Sequence, residues 1–222
     1  ILLMTVCYMH FFIEHNRGHH VRVATPEDPA TSRKGENFYG FWWRSVTQGY
    51  LSSWHLEVER LKKKGQGFWS LSNQMIWFQF LPFVFVAFFF GLFSYLGGRL
   101  VWEVPVFFFI QSILGFSLLE LVNYLEHYGM QRKRLPSGQY ENVTPLHSWN
   151  ASQLVSNFLL FQLQRHSDHH AHPARAYPAL RLPTAQEAPH LPWPLPVACT
   201  LALFPPLWKR AIRPHLAKWK AA

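Results

Sequence analysis

Long charge-free apolar stretches alternate with short, strongly polar ones, and this alternation divides the chain into its predicted elements. Residues 75–96 hold 22 positions without one Asp, Glu, Lys or Arg. At about 1.5 Å per residue, a helix there is roughly 33 Å long, enough to cross a hydrocarbon core of about 30 Å. Gly97-Gly98-Arg99 forms a turn, and residues 100–122 make a second span, with Glu103 near its start and Glu120 near its end. The two spans are expected to form a helical hairpin whose outer ends emerge on one side of the membrane. Residues 1–13 (ILLMTVCYMHFFI) are apolar but too few to cross a bilayer, and they read as the end of a third, truncated spanning helix.

Between these stretches the pattern is mixed. Trp42, Val46, Tyr50, Trp54, Val58 and Leu61 recur at helical spacing, so 38–61 is predicted as an amphipathic helix, interfacial or core-facing. Pro26, Pro29 and Gly35 mark 21–37 as a loop, and 131–138 is a basic, turn-rich loop. Residues 152–164 are a short apolar helix candidate. Residues 193–208 are apolar, but Pro194, Pro196, Pro205 and Pro206 exclude a straight spanning helix, leaving an interfacial or packed tail. The expectation is an all-α integral membrane protein, one domain over 1–222.

Composition agrees. The chain of 222 residues is 49% hydrophobic and 17% aromatic, while only 15% of it is charged, against roughly 25% in an average soluble domain. The net charge is +9. No nucleic-acid motif accompanies it, and no nucleic-acid partner is expected. Nine of the 21 Lys and Arg precede the hairpin, eleven follow it, and Arg99 lies in its turn. The positive-inside bias therefore places the polar regions in the cytoplasm. Cys7 and Cys199 sit far apart in apolar settings and form neither a disulfide framework nor a thiolate site. Any metal must be held by imidazole and carboxylate.

The imidazoles are concentrated. Residues 163–177 (LQRHSDHHAHPARAY) carry His166, His169 and His170, which share a helical face at i, i+3 and i+4. EHNRGHH (14–20) repeats the logic with His15, His19 and His20, and NYLEHYG (123–129) adds His127 where the second span ends. Seven imidazoles at one membrane face exceed a tetrahedral zinc site, and haem takes one or two axial His. Two octahedral or five-coordinate irons use them most economically, so a cytoplasmic His-rich di-iron domain is expected. Glu14, Asn123, Glu126 and Asp168 are the adjacent candidates for orienting the ligands from behind.

EHNRGHH, NYLEHYG and LQRHSDHHAHPARAYPAL resemble three motifs of the membrane-bound alkane 1-monooxygenases. The likeness continues through ATPEDPATSRKGE (24–36) and HSWN (147–150), covers about 10–182, and includes PPLW (205–208). Short His boxes are shared with desaturases and other lipid hydroxylases, whereas HYG (127–129) is more particular to alkane hydroxylases. The resemblance implies that His15, His19, His20, His127, His166, His169 and His170 ligate two irons. It also implies conversion of medium- or long-chain n-alkanes to 1-alkanols with O2, electrons from rubredoxin and rubredoxin reductase, and a bacterial inner-membrane enzyme. The family carries a further HExxH box upstream, so the chain is expected to be the C-terminal part of a longer protein and inactive alone. His10, His55, His147 and His172 fall outside the implied ligand set and are assigned to packing or outer positions, and 184–194 departs from the family pattern. Lys62–Lys64 and Arg132–Arg134 could steer an acidic electron donor, against plain positive-inside topology. Phe107, Phe108, Phe109 and Phe116 are candidate lining for an alkane tunnel, against ordinary lipid-facing packing. Two other readings stay open: a related hydroxylase or desaturase of fatty acyl or alkyl-aromatic substrates, and a His-rich membrane metal transporter.

Overall fold

The computed structural model describes residues 2–220. Ile1, which opens the predicted 1–13 stretch, and Ala221–Ala222, which close the predicted domain, lie outside the described residues. The described residues are helical, with no strand beyond two isolated bridges, Arg134 with Tyr140 and Asn150 with His190. The longer helices are α1 (Phe38–Lys63), α2 (Gln74–Gly97), α3 (Glu103–His127), α4 (Leu154–Leu159), α5 (His166–Ala171), α6 (Leu195–Ala202) and α7 (Pro205–Lys220). Contacts divide the chain into two compact units: Ile1–Gly18 with Val46–Leu119, and His19–Ser45 with Glu120–Ala222.

In the first unit, α2 and α3 are long and apolar enough to cross a membrane, with mean hydropathy 2.1 and 1.8. Asn73 starts α2 by accepting from the Met75 amide, and Gly98 ends it at φ 61°. Phe80, Phe83, Phe88 and Leu96 point outward from α2, an apolar exterior suited to lipid. The hairpin connection is longer than expected because α3 begins only at Glu103. Pro105 in its first turn lacks the N–H that a helix interior needs. At its other end α3 continues past the predicted Val122 to His127.

The 1–13 stretch is not one helical end. It breaks into turns at Leu2–Thr5 and Phe11–Ile13, with Cys7 between them at φ 51°. The break is stabilised from α3, where Gln111 Nε2 and Ser112 Oγ donate to the Thr5 carbonyl that the helix no longer satisfies. Gly115 permits this approach, since a Cβ there would lie 2.7 Å from Val6.

The amphipathic stripe of α1 is displaced by one position. Trp42, Val46, Tyr50, Trp54 and Val58 are half-buried, while Phe41, Ser45, Gly49, Ser53, Glu57 and Leu61 are buried. Small size and polar pairing override hydrophobicity here. Glu14 packs over Gly49, Ser53 Oγ donates to the His10 carbonyl, and Glu57 accepts from Arg17, Arg60 and the Gln74 amide at the start of α2.

The second unit has its own core. Phe41, Tyr124, Leu125, Trp149, Leu195, Ala198, Trp208, Ile212 and Leu216 pack together. The proline-rich tail is thus a packed one, in which Pro205 and Pro206 start α7. Residues 152–164 are helical only over Leu154–Leu159, because Phe161 and Gln162 turn left-handed at φ 51° and 64° and Gln162 N closes back on the Asn157 carbonyl. Arg132, one of the basic residues considered for steering a partner, is buried and donates to the Val21 and Glu141 carbonyls.

Candidate metal centre

EHNRGHH is helical but wider than an α-helix: Glu14–His19 forms a π-helical turn, which resumes α geometry at His20. Such turns are uncommon and concentrate at functional sites. The wider turn delivers His19 into the second unit's interior. There it meets His127, the last residue of α3, and His166 and His170, one turn apart on α5. All four are buried, and one ring nitrogen from each lies within 4.8 Å of the other three. The Nε2–Nε2 separations are 2.9 Å for His127–His166, 2.9 Å for His166–His170 and 3.3 Å for His19–His170.

Those distances fit a cation. With metal–nitrogen bonds of about 2.0–2.1 Å, neighbouring ligands lie about 2.9 Å apart at right angles and about 3.4 Å apart at tetrahedral angles. The groups behind the rings fit as well. His19 Nδ1 donates to Asp28 Oδ2 at 2.7 Å, since a carboxylate can only accept, and Nε2 is the nitrogen that faces the cluster. His166 Nδ1 lies 3.2 Å from Glu126 Oε2, and His127 Nδ1 lies 3.4 Å from Ser148 Oγ. This chemistry suits a metal: four buried imidazoles converge, and three of them have a hydrogen-bonding group behind the ring.

His20 and His169 adjoin the four, their rings 4.7 Å apart, with His20 also 4.9 Å from His170. Burial, then the neighbouring His169 and His19, lowers the pKa of His20 to about 3. Burial, then His19, lowers His169 to about 4. His170 is held well below its ordinary value by burial and by His166. These rings stay unprotonated at neutral pH, the form a metal needs. Burial works against the charge of Asp28, yet His19 and Thr31 hold its carboxyl below the usual range. His15 belongs to the first unit, where its ring stacks on Phe11 at 4.9 Å.

Of the orienting candidates, Glu126 is in place behind His166. The hydrogen bonds of Asp168 run to the Arg175 guanidinium, the Arg181 amide and His172 Nδ1, which fold the 172–181 segment back onto α5. Asn123 Nδ2 donates to Glu120 at 3.5 Å, and Glu14 is buried in the first unit. His147 accepts from the Thr144 amide and contacts Glu141, His10 packs edge-on to Tyr8 and Tyr50, and His55 is exposed.

Sequence spacing missed Asp28, Ser148 and Asn150. Their signal lay in the two stretches between the boxes where the family resemblance continues, 24–36 and 147–150. HSWN is the spacer between α3 and α5. Ser148 stands behind His127, and Trp149 donates its amide to the Glu126 carbonyl and its Nε1 to the Tyr128 carbonyl. Asn150 Oδ1 accepts from the amide and hydroxyl of Ser167, beside His166. The divergent 184–194 segment joins this scaffold, because Asn150 also bonds the Pro189 carbonyl and the Leu191 amide. HYG acquires a local meaning too. Tyr128 Oη accepts from the Gly35 amide, and Gly129 adopts φ 70° with Leu216 so close that a Cβ would sit 2.8 Å from it.

Residues 1–198 match the fatty acid desaturase family. The chain is 44% identical to alkane 1-monooxygenase 2 of Pseudomonas aeruginosa, across 100% of this chain and 56% of that protein. Identity to the alkane 1-monooxygenase of Pseudomonas putida is 43%, across 99% of this chain and 52% of that one. The xylene/toluene monooxygenase hydroxylase component XylM of Pseudomonas putida is 30% identical, across 93% of this chain and 52% of its own length. The chain therefore spans about half the length of the relatives it matches.

Proposed function

The chain belongs to the fatty acid desaturase family, and on that premise we propose that it carries the His-rich part of a membrane hydroxylase converting n-alkanes to 1-alkanols with O2. The observation that carries the reading is the buried four-imidazole cluster in a chain 40–44% identical to alkane 1-monooxygenases. His15, His19, His20, His127, His166, His169 and His170 are the proposed ligands of two irons. His15 is included for its place in EHNRGHH.

An alkane presents no charge, dipole or acidic proton, so side chains acting as acids, bases or nucleophiles have nothing to act on. Bound iron would pass the donor's electrons to O2 and so turn it into an oxidant strong enough for such a bond. What this chain contributes is placement. Asp28, Glu126 and Ser148 aim the imidazoles, and the buried setting excludes bulk water. In the first unit, a cleft of about 460 Å³ lined by Phe85, Phe89, Phe107 and Phe108 offers an apolar surface for an alkyl chain. Phe107 and Phe108 were tunnel candidates on sequence alone, and Phe109 and Phe116 do not line this cleft. Rubredoxin is the proposed electron donor, and the positive-inside distribution supports a bacterial inner-membrane setting with the His clusters on the cytoplasmic face.

The test uses the full-length parent protein in membranes with rubredoxin, rubredoxin reductase and NADH. The expected result is two tightly held irons per chain and 1-octanol from octane. Oxidation of xylene or a fatty acid with octane untouched overturns the substrate, and XylM makes the alkyl-aromatic case the one to include. One exchangeable zinc and no oxygen uptake would favour a transporter instead.

A further inference from the structure

The loop between the first His box and α1 was read from sequence as plain turn-forming chain, yet it holds a buried carboxylate against one of the clustered imidazoles. From this juxtaposition we infer that Asp28 is the positioning residue of His19, and that 24–36 exists to hold Asp28 there. The inference rests on the four His as a metal centre, and it adds a residue that touches no metal.

Asp28 is 1% exposed, and each of its oxygens has a partner. Oδ2 accepts from His19 Nδ1 at 2.7 Å and from Thr31 Oγ1 at 2.5 Å, and Oδ1 accepts from the Ala30 amide at 3.2 Å. The Thr31 hydroxyl is itself oriented, because its oxygen accepts from the Ala24 amide at 2.8 Å and its proton is left for Asp28. A line of hydrogen bonds thus runs from backbone, through hydroxyl and carboxylate, to the imidazole. The carboxylate holds a proton on His19 Nδ1 and so leaves Nε2, 3.3 Å from His170 Nε2, as the atom offered to a metal. A nearby anion also makes Nε2 a stronger donor.

The loop is held from three directions, all within the second unit. The Arg44 guanidinium on α1 donates to the Pro29 and Thr31 carbonyls. Ser32 Oγ donates to the Tyr124 carbonyl, and the Gly129 amide donates to the Ser32 carbonyl. The Arg132 amide donates to the Ala24 carbonyl, where the backbone is left-handed at φ 59°. A loop needed only to connect two helices would not require a buried charge at its centre, since an unpaired buried carboxylate is strongly unfavourable. The pairing with His19 is what makes Asp28 tolerable there, and metal binding is what makes the pairing useful.

The test uses the full-length parent, purified with its metal removed and then titrated with Co2+, whose visible absorption reports ligand geometry. Asp28→Asn keeps the shape and removes the charge, and Thr31→Val keeps the charge but removes the hydroxyl that bonds both Asp28 and the Ala24 amide. We expect Asp28→Asn to weaken Co2+ binding about 10–100-fold and to change the absorption band, with unchanged helical circular dichroism. Thr31→Val should have a smaller effect in the same direction, and Asp28→Glu should restore part of the affinity. His170→Ala is the control. If His170→Ala loses Co2+ while Asp28→Asn and Thr31→Val keep wild-type affinity and spectrum, the role of Asp28 is overturned and the metal centre stands. If His170→Ala itself binds Co2+ normally, the metal reading fails and the inference fails with it. Should Asp28→Asn not fold, Thr31→Val decides by the same spectrum.

Discussion

Two helices show how differently this chain treats its surface and its interior. The 24 residues of α2 are apolar nearly all round, yet only Met75, Pro82 and Val86 among them are buried. The six residues of α5, HSDHHA, are polar but for one, yet His166, Ser167, Asp168, His169 and His170 are all buried. In a water-soluble protein the placements would be reversed. The difference teaches that α2 is stabilised by its solvent and α5 by its partners. A helix in lipid satisfies its own backbone and needs no further specificity. A buried imidazole depends on the groups around it, because an unmatched buried polar group costs roughly 1–3 kcal/mol.

The sharpest way to break this comparison is to remove one partner of the cluster. His127→Ala in the full-length parent should abolish both metal retention and alkane oxidation, measured as iron per chain and 1-octanol formed. Retention of both irons with near-normal turnover would make His127 a packing residue and α3 merely a span. The next largest effect is expected on α2. Phe88 is 61% exposed near its middle, so Phe88→Arg should cost about 3 kcal/mol of membrane insertion. Resistance to alkaline extraction should fall, while Gln139→Arg, on an exposed loop of the second unit, should leave it unchanged. Full membrane retention of Phe88→Arg would show that this face of α2 is covered by protein instead of lipid.

The smallest expected effect is pH dependence of the metal-free protein. His20 and His169 bind protons less well in the fold, at about 3 and about 4, than an unfolded imidazole at about 6.5. Between pH 6.5 and about 4 the unfolded state holds more protons, so stability declines as pH falls through that window. Added metal, which requires the unprotonated rings, should deepen the contrast between pH 7 and pH 5. The denaturant midpoint of the metal-free protein at pH 7 and pH 5 measures it, and an equal or higher midpoint at pH 5 would contradict the buried, neutral assignment.

Much of this was legible in the residues themselves. The charge-free run 75–96 announces a spanning helix because length and apolarity are local quantities. The four His of the cluster were all named from their boxes, since imidazoles at i and i+4 share a face in any helix. Legibility fell where the outcome depended on a competing contact. The stripe of α1 shifted by one position because Gly49 admits the Glu14 side chain and Ser53 bonds the His10 carbonyl, which no hydrophobicity pattern records. The 1–13 stretch broke at Cys7 because Gln111 and Ser112, over a hundred residues away, take up the freed carbonyl. Asp168 looked like a ligand-orienting residue by adjacency, but its bonds go to Arg175 and the Arg181 amide.

The sequence by itself determined which segments can live in lipid and which side chains can hold a metal, because hydropathy and donor chemistry belong to each residue. Only the tertiary structure decided which carboxylate stands behind which imidazole. Asp28 reaches His19 from nine positions along the chain, and His19 reaches His170 from 151. Hydrogen bonds and coordination act over about 3 Å and in fixed directions, so they come into being only when the loops have closed.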